Sequence, residues 1–357
     1  MLILRRGQLA TGPTTAAAAM LFAFCPPLIA GDSFPINVYP CPKAETAPVI
    51  DGKLDDAAWK RAPLVSGFTY FGKDSLVPVQ TSFRVLWDEK HLYLGLHCDE
   101  PEIDKLNPIR YAHDEHAVFS NETVEFFVDP NHTHRVYYQL AFNVAGSLYD
   151  GEREDTVWNS DAEVKTHAAD TFWSAEIAVP WGPLKAKPVP GKVVGFNVNR
   201  DRNIGKKTWS TWARVQRGFH DPERFAHLVL SGTPERIGKL SREFRKGGRT
   251  GPITVFSAEG FAQTSYTKLS EASFAEVEKL LADLETMRRK DKESGVAAEI
   301  KRRLDKFQRE LARLKKQSKG KLDAATWTRL DIKVQALVGQ LRKTVAEARL
   351  TALLNTI

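Results

Sequence analysis

The sequence predicts a mainly β protein, an antiparallel, jelly-roll-like β-sandwich followed by a C-terminal α-helical bundle or coiled coil. Three observations predict it. Residues 35–234 break into short runs of alternating apolar residues, separated by Gly, Pro, Asn and Asp, with no helical period between them. Residues 253–357 switch to apolar spacings of three and four. The 357 residues are 42% apolar and 27% charged, values of a globular chain long enough for two structural units.

The first 30 residues read as a secretory signal. Arg5 and Arg6 precede an apolar run from Ala16 to Phe24 that is too short to span a bilayer, and Ala30-Gly31 offers a small residue for cleavage. The expected location is outside the cytoplasm, periplasmic or extracellular, with the cell envelope as a further place. An exported chain can pair Cys41 with Cys98, closing a loop of about 57 residues; the alternative is two buried free thiols.

Within the β region, Gln80 to Trp87 places Phe83, Val85 and Trp87 on one face. After the turn Asp88-Glu89-Lys90, His91 to Cys98 places Leu92, Leu94, Leu96 and Cys98 on one face. Further strands are expected at Thr123 to Val128, Val136 to Val144, Glu163 to Thr166, Phe172 to Val179, Val193 to Asn199, Thr208 to Ala213 and Phe225 to Leu230. Residues 235–252 read as a linker. Beyond it, three helices are expected, on Phe274, Val277, Leu281 and Leu284; on Val296, Ile300, Leu304, Phe307, Leu311 and Leu314; and on Leu330, Val334, Leu337 and Leu341.

The formal charge of +7 suggests nucleic acid until it is divided along the chain. From Arg236 onward there are 27 Lys+Arg against 15 Asp+Glu, so the part before it is mildly acidic. The basic excess sits on helical faces, where it is solvated or meets a protein partner, a second copy or a polyanion, and nucleic acid is not expected.

Motif chemistry is sparse. There is no Gly-x-Ser-x-Gly, no phosphate loop and no dinucleotide fingerprint. His113/His116 and His132/His134 have metal-compatible spacings but no accompanying ligand set, so exposed loop histidines are the expectation. Tryptophans on the alternating strands are expected in the core. Phe119 and Phe219, each just before a polar turn, are candidates to stack on a sugar ring.

Five blocks in order carry a resemblance: Pro48-Val49-Ile50-Asp51-Gly52-Lys53-Leu54-Asp55-Asp56-Ala57-Ala58-Trp59; Phe83-Arg84-Val85-Leu86-Trp87-Asp88; Glu122-Thr123-Val124-Glu125-Phe126-Phe127-Val128-Asp129; Gly195-Phe196-Asn197-Val198; and Phe219-His220-Asp221-Pro222-Glu223-Arg224-Phe225. Over about residues 39–230 the chain resembles family 9 carbohydrate-binding modules, a DOMON-like β-sandwich. The resemblance implies saccharide binding between two stacked aromatics, here Phe119 and Phe219, with Glu125, Gln139 and Asn143 choosing hydroxyls. An arginine of the family falls on Ala141. The resemblance also implies structural calcium, with Glu100, Glu122 and Asp221 as candidate ligands, and no organic cofactor.

The expected function is therefore non-catalytic saccharide or polysaccharide binding in the service of polysaccharide breakdown. The alternatives are a glycan-processing O-glycosyl hydrolase or its binding subunit, and an envelope structural protein that has lost sugar binding.

Overall fold

The computed structural model describes residues 34–290 and 295–354. The expected signal segment lies outside them. No helix among the described residues is long and apolar enough to cross a membrane.

Twelve strands build the sandwich: β1 (Ile36–Cys41), β2 (Thr69–Tyr70), β3 (Thr81–Trp87), β4 (His91–Asp99), β5 (Thr123–Asp129), β6 (Tyr138–Asn143), β7 (Leu148–Glu152), β8 (Glu163–Ala169), β9 (Phe172–Pro180), β10 (Val193–Arg202), β11 (Thr208–Thr211) and β12 (Ala226–Leu230). The smaller sheet has the order β3-β4-β9-β8. The larger sheet runs β1-β12-β10-β5-β6-β7, with β11 on β10 and β2 on β11. Alternation decides which face is buried. Val124, Phe126 and Val128 of β5 and Val194, Phe196 and Val198 of β10 meet Val85, Trp87, Leu92, Leu94, Trp173 and Ile177 of the small sheet in one core.

The opening block Asp51 to Trp59 lies across the outer face of the small sheet. Glu176 of β9 accepts from Asp51 N (2.8 Å), Gly52 N (2.7 Å) and Trp59 Nε1 (2.7 Å). Gly52 has φ +90, and a Cβ there would stand 2.7 Å from the Thr166 carbonyl carbon, so only glycine fits.

Two expectations are corrected. The expected linker is structured: α1 (Pro234–Lys239) and α2 (Ser241–Phe244) bury Ile237 and Phe244 against Ile36, Val38, Val229 and Val255. Residues 253–265 are strands, β13 (Ile253–Ser257), β14 (Gly260–Phe261) and β15 (Thr264–Ser265). β13 pairs parallel to β1, which itself pairs parallel to β12, so the large sheet is not purely antiparallel. The apolar run Ile253-Thr254-Val255-Phe256 finds its partner only through this distant pairing, which has no local signal.

Cys41 and Cys98 are buried free thiols. Cys41 ends β1 in one sheet and Cys98 lies on β4 in the other. Facing sheets stand about 10 Å apart, beyond the ~7 Å Cα reach of a disulfide. Burial pushes the Cys98 thiol up to about 12 and raises that of Cys41, so both stay protonated and inert.

Three helices follow as expected, α3 (Tyr266–Lys290), α4 (Gly295–Gln317) and α5 (Ala324–Leu354). Asp323 caps α5 by accepting from Thr326 N at 2.7 Å. Phe274, Val277, Leu284, Ile300, Leu304, Leu314, Val334 and Leu341 form a second core. A chain of ring contacts, Trp212–Phe256–Phe261–Tyr266–Trp327, joins the two cores at centroid distances of 5.1–5.7 Å. Arg329 of α5 adds an ion pair to Asp99 (2.6 Å). The helices are therefore held against the sandwich rather than tethered to it.

Candidate functional site

Pairing register lines up the outer face of the large sheet. One row reads Tyr149–Ala141–Glu125–Asn199–Thr211 and the next Asn143–Thr123–Asp201–Trp209. Alternation along β10 sends Val194, Phe196 and Val198 inward, so Asn197, Asn199 and Asp201 must face outward. Loops cover most of this polar face, leaving Glu125 5% and Asp201 6% exposed.

The opening in that cover is a cleft of about 240 Å³ lined by Phe71, Glu125, Asp201, Trp209, Gly218 and Phe219. Trp209 is 61% exposed, an unusual state for the largest apolar side chain. Its wall is fixed: β2 pairs with β11, Phe71 N donates to Trp209 O (3.0 Å), and the Phe71 and Phe219 rings meet edge-on at 5.5 Å. Asp221 steadies the loop carrying Phe219 through Arg217 (2.6 Å).

At the floor, Glu125 and Asp201 occupy diagonal positions on the paired strands β5 and β10. Burial, then the charge of Asp201, raises the Glu125 carboxyl well above the usual range. Burial above all, with the charge of Glu122 adding to it, pushes Asp201 up to about 6. Each acid therefore holds its proton to a higher pH than a free carboxyl does. Gln139 Nε2 donates to Glu125 Oε2 (2.6 Å), and the buried Asn199 Nδ2 has no partner. The floor therefore offers carboxyl oxygens beneath an aromatic wall, groups that can bind hydroxyls under a stacked sugar ring, with the buried Asn199 amide behind them.

The folded chain keeps the Asp201 proton to about pH 6 and an unfolded aspartate to about 4, so stability falls as pH rises between them. Asp201→Asn is expected to raise Tm by several degrees at pH 8, for at most about 3 kcal/mol, and hardly at pH 4. Calorimetry at both values checks this; a lower Tm at pH 8 would contradict it.

The expected residues separate. Glu125 and Phe219 line the cleft; Gln139 lies behind Glu125 and orients it. Phe119 is not part of the cleft: half-buried, it packs on Tyr149 (5.0 Å) and His116 (5.1 Å), two strands from Glu125. Asn143 is unavailable to a ligand, because its Nδ2 donates to Ile109 O (2.6 Å) and its Oδ1 accepts from Ala145 N and Ser147 N. His132 is not an exposed loop residue but is buried between Glu243 (2.8 Å) and His227 (3.0 Å).

The implied calcium ligands do not assemble into one set. Glu122 accepts from Arg200 Nε (2.7 Å) and Asn203 N (3.0 Å), while Glu100 takes Arg202 at 2.6 and 2.8 Å and Arg200 at 3.2 Å. Asp221 is bound elsewhere, to Arg217 and Arg224. Two guanidinium groups stand where a cation would be needed, and the acid oxygens are turned toward them.

Trp209, expected in the core with the other strand tryptophans, is exposed instead and lines the cleft with Asp201, which the sequence did not single out. The signal was present: Trp209 and Trp212 are three apart on an extended segment, so they point to opposite faces and one must leave the core.

The family model described as "Carbohydrate family 9 binding domain-like" matches residues 50–233, just over half of the chain. The chain belongs to this family. The match covers β2 to β12, and so every residue lining the cleft. Among curated proteins, an endo-1,4-beta-xylanase A of Thermoanaerobacterium saccharolyticum is 26% identical over 61% of this chain and 19% of its own length. Exoglucanase XynX of Acetivibrio thermocellus is 27% identical over 55% of this chain and 18% of its own. The chain thus spans less than a fifth of either enzyme. Among solved structures, a family 9 carbohydrate binding module of Caldicellulosiruptor kristjanssonii in complex with cellotriose is 17% identical, covering 56% of this chain and 95% of that one, with a TM-score of 0.43.

Proposed function

We propose that this chain is a non-catalytic saccharide-binding protein whose family 9 domain takes one sugar ring in the Phe71–Trp209–Phe219 cleft. The observation that carries it is Trp209, 61% exposed in the row that also holds Asp201. Trp209 and Phe219 offer apolar faces to a ring, and Glu125 and Asp201 accept from its hydroxyls. The relatives fit this reading: enzymes named for xylan or glucan cleavage share the domain, and similar solved modules hold cellotriose or glucose. A part in polysaccharide breakdown follows from that company, and export from the N-terminal apolar segment.

Hydrolysis is disfavoured by the acids themselves. Glycosidase carboxyls stand about 5–9.5 Å apart, with the scissile bond between them. Glu125 and Asp201 share one sheet face at diagonal positions, and among the described residues no further acid lines the cleft opposite them. Calorimetric titration with glucose, cellotriose and a xylo-oligosaccharide tests the proposal. Heat with at least one, and no reducing sugar released on long incubation, is the expected result; no heat with any of them overturns it.

A partner of the helical part would dock at the end of α5, where Leu350, Leu353 and Leu354 are 59–65% exposed. Light scattering of the parent chain against Leu350→Ser/Leu353→Ser tests whether that partner is a second copy.

A further inference from the structure

The loop preceding Phe119 brings three donor side chains to one point that the cleft does not use. His113 Nε2 stands 3.5 Å from Asp150 Oδ2, and its Nδ1 stands 3.4 Å from Asp114 Oδ2. One donor atom from each of the three residues lies within 4.8 Å of the others, the one such group among the described residues. The loop is stitched to β7 by two bonds, Asp114 N to Leu148 O (3.1 Å) and Asp150 N to Asp114 Oδ1 (3.1 Å), so the arrangement is fixed by backbone.

Asp150 is the unusual member. It is fully buried. Its Oδ2 accepts from Ser160 N (3.0 Å) and from the Ser160 hydroxyl, whereas Oδ1 has no hydrogen-bond partner. A buried carboxylate with an unpaired oxygen is costly unless a cation compensates it. The nearest basic group is the imidazole of His113, and 3.5 Å exceeds the usual hydrogen-bond length of about 2.7–3.2 Å. That distance also suits two ligands on one metal, with a single nitrogen of His113 serving the ion and Asp114 reaching it within the 4.8 Å spacing of the group. Bonds of about 2.0–2.2 Å across a tetrahedral angle leave the donor atoms roughly 3.3–3.6 Å apart.

We propose that His113, Asp114 and Asp150 bind a divalent cation of the zinc class. One imidazole with two carboxylates suits Zn²⁺, Co²⁺ or Mn²⁺, whereas Ca²⁺ takes an all-oxygen shell. The His113 side chain is 42% exposed, so the ion enters from solvent and water completes its coordination. Tyr149, the residue before Asp150, packs on Phe119, so the ion would fasten the Phe119 loop to β7.

The test is metal stoichiometry and thermal shift on the full chain, stripped with chelator and titrated with ZnCl₂. The parent is expected to take up Zn²⁺ and gain Tm. His113→Ala, at an exposed position, should keep the metal-free Tm, lose one equivalent and lose most of the gain. Asp114→Asn should weaken uptake at least tenfold. No uptake by the parent, or unchanged stoichiometry and shift in His113→Ala, would overturn the site. A His113-dependent shift with CaCl₂ but not ZnCl₂ would overturn the metal class.

Discussion

Replacing Trp209 with alanine is expected to weaken saccharide binding 30- to 100-fold, or about 2–3 kcal/mol, while leaving Tm within a degree or two. The two halves of that result have separate causes. Trp209 is 61% exposed in the ligand-free chain, so its indole contributes little to the core. On binding, the same surface would be covered by a sugar face, and the variant loses all of that contact. Phe219→Ala should also weaken binding but cost some stability, since its ring braces Phe71 at 5.5 Å. Phe119→Ala should change affinity less than tenfold, because Phe119 packs with Tyr149 away from the cleft. Calorimetry with the best saccharide, alongside thermal melts, separates the three. Parent-like affinity in Trp209→Ala would remove the main support for the cleft.

Much of the sandwich was legible because its strands bury one face. The alternations in Gln80–Trp87 and His91–Cys98 place their residues as expected, since a one-residue slip would expose every apolar side chain. The helices were legible for the same reason at a different period. What could not be read was non-local. β13 is a short apolar run whose identity as a strand depends on β1, more than 200 residues away. The site was half legible. Glu125 and Phe219 were found through the blocks that resemble the family, but the other wall of the cleft lies on β11, between those blocks. Glu100 and Glu122 were misread because an acid in a sequence does not show its partner. Their partners continue the inward series Val194, Phe196, Val198 as Arg200 and Arg202, an alternation that turns charged at the end of the sandwich.

That charged end sets the largest expected loss of stability. Arg200 is buried, and it ties both sheets together: its guanidinium reaches Glu122 before β5 (2.6 Å), Glu100 after β4 (3.2 Å) and the Asp99 carbonyl (2.9 Å). Arg200→Met keeps most of the stem volume and removes the charge. Glu100 retains Arg202, but Glu122 keeps only the Asn203 N–H and becomes a buried carboxylate without a counter-ion. Losing one side of such a pair costs about 3–5 kcal/mol, a Tm lower by roughly 6–20 °C for a domain of this size. The double variant Arg200→Met/Glu122→Gln should recover more than half of that, since the uncompensated charge is gone and only a neutral amide remains to be satisfied. If instead these acids served a calcium ion, excess calcium would raise the Tm of the parent and chelation would lower it through Glu100 and Glu122. The expected result is that excess calcium leaves the parent's melting point where it is, because its guanidinium groups already fill that place.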